Sequence, residues 1–91
     1  MIKLYNDGKR ITAALQGDID HHSARSMRAV LDDVIARSRP EMLILDFEQV
    51  GFMDSSGIGL ILGRLKSVQA VGGDIIINIV QKVKWHRHIK D

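Results

Sequence analysis

Two short apolar runs, Met42-Leu43-Ile44-Leu45 and Ile75-Ile76-Ile77-Asn78-Ile79-Val80, each follow a stretch of helical periodicity and limit the folds open to this chain. Runs this short read as strands, and their lack of alternation suits strands covered on both faces, as in parallel sheets. The helical stretch before the first run starts at Ser23 as N-cap and reaches about Ser38. Ala24, Met27, Val30, Leu31, Val34 and Ile35 share one face there, while Arg25, Arg28, Asp32, Asp33 and Arg37 lie off it. Pro40 stops this helix and pushes Arg39 towards extended geometry. Asp46 to Asp54 reads as a connection anchored by Val50 and Phe52. The second helical stretch covers about Ser56 to Ala70, with Ile58, Ile61, Leu62, Leu65 and Val68 inward, and Gly72-Gly73 ends it.

Upstream, Ile2 and Leu4 alternate with Lys3 and Tyr5, and Ile11, Ala13 and Leu15 alternate with Thr12, Ala14 and Gln16. With Asp7-Gly8 between them, these segments read as a β-hairpin. The order β-β-α-β-α-β predicts an α/β fold: a small mixed sheet with an antiparallel hairpin and two crossover helices. One domain is expected over residues 1–80, followed by an atypical basic tail over 81–91. Residues 1–80 carry nine basic and ten acidic side chains, whereas the tail carries four basic and one acidic. The positive balance therefore comes from the tail, and no basic stripe marks the body as a nucleic-acid binder.

There is no cysteine, so disulfides and zinc-thiolate sites are excluded. No segment approaches the ~20 apolar residues of a membrane span. The expected setting is the cytoplasm, without membrane association.

In a sheet of this topology the segments leaving strands two and three lie at one edge, where open α/β sheets carry their sites. Asp18, Asp20, His21 and His22 should therefore share an end with Asp54, Ser55 and Ser56. The serines stand at a helix N-terminus, where free N–H groups and the positive dipole end favour an anion. A phosphate there adds about −1.5 to −2 charges, which the helix tolerates and a packed partner need not. The plainer alternative is that Ser55 or Ser56 serves only as an N-cap. His21-His22 and His86-x-His88 lack the spacing of a metal site, so no metal or cofactor is expected. Gly59-x-x-x-Gly63 reads as a seam that lets its helix approach the sheet. A hydrolase nucleophile elbow is missing.

Gly17-Asp18-Ile19-Asp20-His21-His22-Ser23-Ala24 resembles the Gly-acid-Leu/Ile-Asp-x-x-Ser/Thr-Ala signature of the anti-sigma factor antagonist (STAS domain) family. Phe52-Met53-Asp54-Ser55-Ser56-Gly57-Ile58-Gly59, continuing to Arg64, resembles that family's phosphorylation motif and helix, and Gly72-Gly73-Asp74 resembles its turn. The pairing of Asp-His-His with Met-Asp-Ser-Ser-Gly is most similar to the sporulation antagonists. The resemblance implies a non-enzymatic protein whose unmodified form binds an anti-sigma factor serine kinase and frees the sigma factor. Phosphorylation of Ser55 would end binding, and a serine phosphatase would reverse it. Asp20, His21, Asp54, Ser55, Ser56, Gly57 and Arg64 would form the partner-binding region. Alternatives are a STAS scaffold module without a sigma pathway, a small hydrolase using Ser55, and an inactive fragment of a frameshifted gene. The last arises because the family's further helix, strand and final helix have no counterpart after residue 80. Apolar surface left uncovered by that shortfall would favour self-association.

Overall fold

The computed structural model describes residues 1–79 and the backbone of residues 84–85. In chain order the elements are β1 (Ile2–Asp7), β2 (Arg10–Gln16), α1 (His21–Ser38), β3 (Met42–Gln49), β4 (Phe52–Met53), α2 (Ser55–Ala70), β5 (Asp74–Asn78) and β6 (Lys84–Trp85). The main sheet has the order β1-β2-β3-β5. β1 is antiparallel to β2, and the other neighbours are parallel. This is the mixed sheet with hairpin and crossovers expected from the sequence. Gly8 carries the hairpin turn at φ +66, a conformation that glycine adopts without a Cβ penalty. β4 and β6 form a separate parallel pair.

One face of the sheet carries the core. Ile11, Ala13 and Leu15 of β2 and Leu43, Leu45 and Phe47 of β3 are at most 1% exposed. Met27, Leu31, Val34 and Ile35 of α1 join them in one cluster with Leu60 and Val68 of α2, so both crossover helices cover the same face. Burying each such aliphatic side chain contributes about 1.5–3 kcal/mol, which makes this single layer the main source of stability.

The opposite face corrects the expectation that strands three and four are covered on both sides. Register aligns Tyr5, Thr12, Ile44 and Ile76 in a row across it. Tyr5 and Ile76 are 58% and 48% exposed, and no described element packs over them. The apolar runs are unbroken because β3 and β5 carry isoleucine on this second face as well, which no element among the described residues covers. The fourth strand is also shorter than expected, since β5 ends at Asn78 and Val80 lies outside the described residues.

Three helix details differ from the sequence reading. First, Asp20, not Ser23, is the N-cap of α1; Ser23 is the N3 partner of a capping box. Second, Arg39 closes α1 in the left-handed region at φ +44, not in extended geometry, and donates its N–H to Ile35 O. Pro40 forbids a further right-handed residue, and its own burial draws the chain back towards the core. Third, Val30, Ile58 and Leu62 are exposed, at 42%, 42% and 56%. The buried stripe of α2 runs through Gly57, Leu60, Arg64 and Val68 instead. A glycine and an arginine lie on that stripe for reasons of contact that hydrophobic periodicity does not register.

Candidate functional site at two helix N-termini

Ile19 joins the two segments that leave β2 and β3. Its N–H donates to Phe52 O at 2.9 Å, and the Asp54 N–H donates to Ile19 O at 3.1 Å. Ile19 and Met53 are fully buried and form a parallel bridge. Two loops that hydrophobic pattern leaves independent are thus fastened side by side, and α1 and α2 begin at the same level. Asp18, Asp20, His21 and His22 do share an end of the molecule with Asp54, Ser55 and Ser56.

Each helix has an aspartate cap. Asp20 Oδ1 accepts the Ser23 N–H at 2.8 Å, and Ser23 Oγ accepts the Asp20 N–H at 3.0 Å. The Ser23 amide holds the Asp20 carboxyl below the ordinary aspartate range; desolvation opposes it, and the Ser23 hydroxyl and His22 add to the lowering. Because the folded pKa is depressed, the stabilisation is present above the unfolded value of about 4 and lost as pH falls through the folded value. We expect Asp20→Asn, which keeps a capping oxygen, to hold a constant melting-temperature difference from wild type above about pH 4. Below that the wild type should lose more stability than the variant. A gap unchanged down to pH 2.5 in thermal melts would remove Asp20 as the source.

At the second helix, Asp54 Oδ1 accepts the Ser56 N–H at 2.8 Å. The cap is therefore Asp54, and neither serine is needed for it. Ser55 is the first residue of α2 and is exposed. Ile58 and Leu62, the two exposed large apolar residues of α2, lie three and seven positions further on, hence on the same helix face. Gly57 points the other way: a Cβ there would overlap the side chain of fully buried Met53. Gly57 is thus a spacer that seats the first turn of α2.

Arg64 is not on the face of Ser55. It is 7% exposed and turned towards α1, with Nε 3.0 Å from Asp32 Oδ1. That contact is an ion pair out of line for a hydrogen bond, and Nη1 has no hydrogen-bond partner among the described residues. A buried donor without a partner costs about 1–3 kcal/mol, so Arg64 is a poor device for packing alone. Burial draws its pKa below the ordinary guanidinium value, Asp32 opposes this, and Arg28 adds to it. Arg64 lines an open cleft of about 340 Å³ walled also by His21, Arg25 and Arg28 of α1 and by Ser56 and Gly63 of α2, with its Nε and Nη1 buried beneath the surface. Asp32 as the partner of Arg64 was not legible in the sequence, since an aspartate on a solvated helix face is ordinary.

The Gly59-Gly63 pair corrects the expected sheet seam. A Cβ at either position meets nothing within 4 Å, and Gly63 lines the cleft rather than the sheet contact. The histidines also part company. His21 lines this cleft, whereas His22 faces the other flank of α1, beside Met1 and Met27. Among the described residues no three metal-ligating side chains cluster, and no helix is long and apolar enough to cross a membrane.

Comparison with known proteins places this geometry. The STAS domain family matches residues 4–84, and the chain belongs to that family. It is 40% identical over 63 residues to a protein of Paenibacillus polymyxa named anti-sigma F factor antagonist, covering 69% of this chain and 54% of that protein. A second protein of that name, from Lysinibacillus sphaericus, is 37% identical over 67 residues, covering 74% of this chain and 57% of its own. The chain thus spans about half the length of the curated relatives it matches. Among solved structures, the anti-sigma factor antagonist SpoIIAA in its unphosphorylated form superposes with a TM-score of 0.72 at 35% identity, over 85% of this chain and 71% of that one. The Bacillus cell fate determinant SpoIIAA in its phosphorylated form gives 0.73 at 26% identity, over 97% and 93%.

Proposed function

We propose that this protein is an anti-sigma factor antagonist switched by phosphorylation of Ser55. Unmodified, it binds an anti-sigma factor that is also a serine kinase; modified, it lets go, and a serine phosphatase resets it. It acts in the cytoplasm as ligand and substrate, not as a catalyst. The observation that carries this reading is the exposed face of α2, where Ser55 stands above Ile58 and Leu62. An apolar strip of this kind gains from being covered by a partner, and a dianionic group at its head opposes that cover. The protein itself tolerates the charge, because Ser55 is exposed to solvent at the positive end of the α2 dipole, where Asp54 already holds the Ser56 and Gly57 amides.

The names of the relatives support the reading, including a relative known in unphosphorylated and phosphorylated forms. Asp20, His21, Asp54 and Ser56 share the paired helix starts with Ser55 and would meet the partner with it. Gly57 and Arg64 are buried and would act from beneath. Incubation with an anti-sigma kinase and ATP, followed by mass spectrometry, should locate one phosphate on Ser55. Phosphate on Ser56 would overturn the assignment, and no uptake with any such kinase would favour the scaffold alternative.

A further inference from the structure

We propose that the cleft between α1 and α2 is a binding site for a phosphate monoester. It lies beside the Ser55 face but is distinct from it, and the proposal does not depend on whether Ser55 is ever modified.

Three features of the cleft converge. The first is Arg64, more than nine-tenths buried, lining the cleft with Nη1 unpartnered among the described residues. A guanidinium stays charged at any physiological pH and presents a planar fork suited to phosphate oxygens. The second is the charge balance. Arg25, Arg28 and Arg64 line the cleft, and among the described residues Asp32, paired with Arg64, is the one carboxylate in an ion pair with any of them, which leaves two positive charges in excess. A phosphate monoester carries close to two negative charges above its second pKa of about 6, whereas a carboxylate carries one. The third is room. Gly59 and Gly63 leave open space where any other residue would project a side chain, and the cleft volume of about 340 Å³ is that of a small-ligand site. Ser56 brings a hydroxyl donor to the rim, and Ala24 and Leu60 supply an apolar wall for the organic part of an ester.

The phosphate could belong to a free metabolite or to a phosphorylated side chain of another protein, and the test separates these sources. The full chain, labelled for NMR, is titrated with inorganic phosphate, glycerol 3-phosphate and a phosphoserine peptide, with sodium chloride at matched ionic strength as control. Saturable shifts confined to residues 21–28 and 56–64 are expected, with dissociation constants of about 1–10 mM for inorganic phosphate. Tighter binding of glycerol 3-phosphate than of the peptide identifies a metabolite site, and the reverse order a phosphoprotein site. Arg64→Lys should weaken binding at least about tenfold, because a point charge replaces the fork. Since a change at a buried arginine can also impair folding, Gly63→Leu is the second variant. It fills the cleft from a position where a Cβ meets nothing, and leucine favours the helix over glycine. It should fold at least as well as wild type and lose phosphate binding. Unchanged affinity in folded Gly63→Leu, equal shifts from chloride, or no saturation by about 50 mM phosphate would overturn the proposal.

Discussion

Ser55→Asp should weaken binding to the proposed anti-sigma partner by about a hundredfold or more, while Ser55→Ala should bind like the unmodified protein and resist the proposed release by ATP. The size follows from the geometry. On the proposed docking face, a carboxylate at the head of the Ile58–Leu62 strip is a buried charge wherever the partner surface brings no counter-charge, and such a charge costs about 3–5 kcal/mol. Each 1.4 kcal/mol is about a factor of ten in affinity. The alanine control is clean, because Asp54 caps α2 and the Ser55 side chain is exposed. Both variants should therefore melt within about 0.5 kcal/mol of wild type, as surface changes do. Titration calorimetry giving equal affinities for wild type and Ser55→Asp would exclude a charge switch on this face.

The second large effect is a reversal of sign between glycines of one chain. Gly73→Ala should destabilise the fold by about 2–4 kcal/mol, the scale of severe overpacking. A Cβ there would overlap the Pro40 carbonyl, which is backbone and cannot swing aside, and would crowd Val68 Cγ1 at 2.9 Å. The Gly73 N–H is held by Val68 O, and the following Asp74 N–H by Glu41 O, so β5 cannot shift without breaking the turn. Gly57→Ala should cost less, about 1–2 kcal/mol, because buried Met53 can repack in part and alanine returns about 1 kcal/mol of helix propensity. Gly63→Ala should instead stabilise by up to about 1 kcal/mol, since its Cβ enters open space. Urea unfolding of the three variants checks the order. Destabilisation by Gly63→Ala would mean that the cleft floor is closed in solution.

Much of the fold was legible because its signals are local. The alternation in Ile11, Ala13 and Leu15 matches the buried side of β2, and Met27, Leu31, Val34 and Ile35 match the buried stripe of α1. The phase of α2 was misread for a physical reason. Periodicity weights Ile58 and Leu62 inward, but the first turn must pass Met53, where only glycine fits, and Arg64 is held by Asp32 from another helix. The misread residues are the exposed pair on which the proposed docking face rests. Among the described residues β3 and β5 are covered on one face only, which departs from the double cover their apolar runs suggest and agrees with the expected uncovered apolar surface, because an apolar residue on an open sheet face looks like one in a core.

The sequence by itself determined the order of elements, the mixed sheet, the shared end of the loops after β2 and β3 and the placement of Ser55 at a helix start, since each follows from turn chemistry, periodicity and chain direction. Only the tertiary structure decided how the two loops after β2 and β3 meet. The Ile19 hydrogen bonds to Phe52 and Asp54 fasten segments more than thirty residues apart, and no local rule prescribes that register. With it came the common level of the two helix starts, the burial of Arg64 against Asp32, and the basic cleft between α1 and α2. Those are contacts between side chains distant in sequence, and their energies exist only once the core has set the helices against each other.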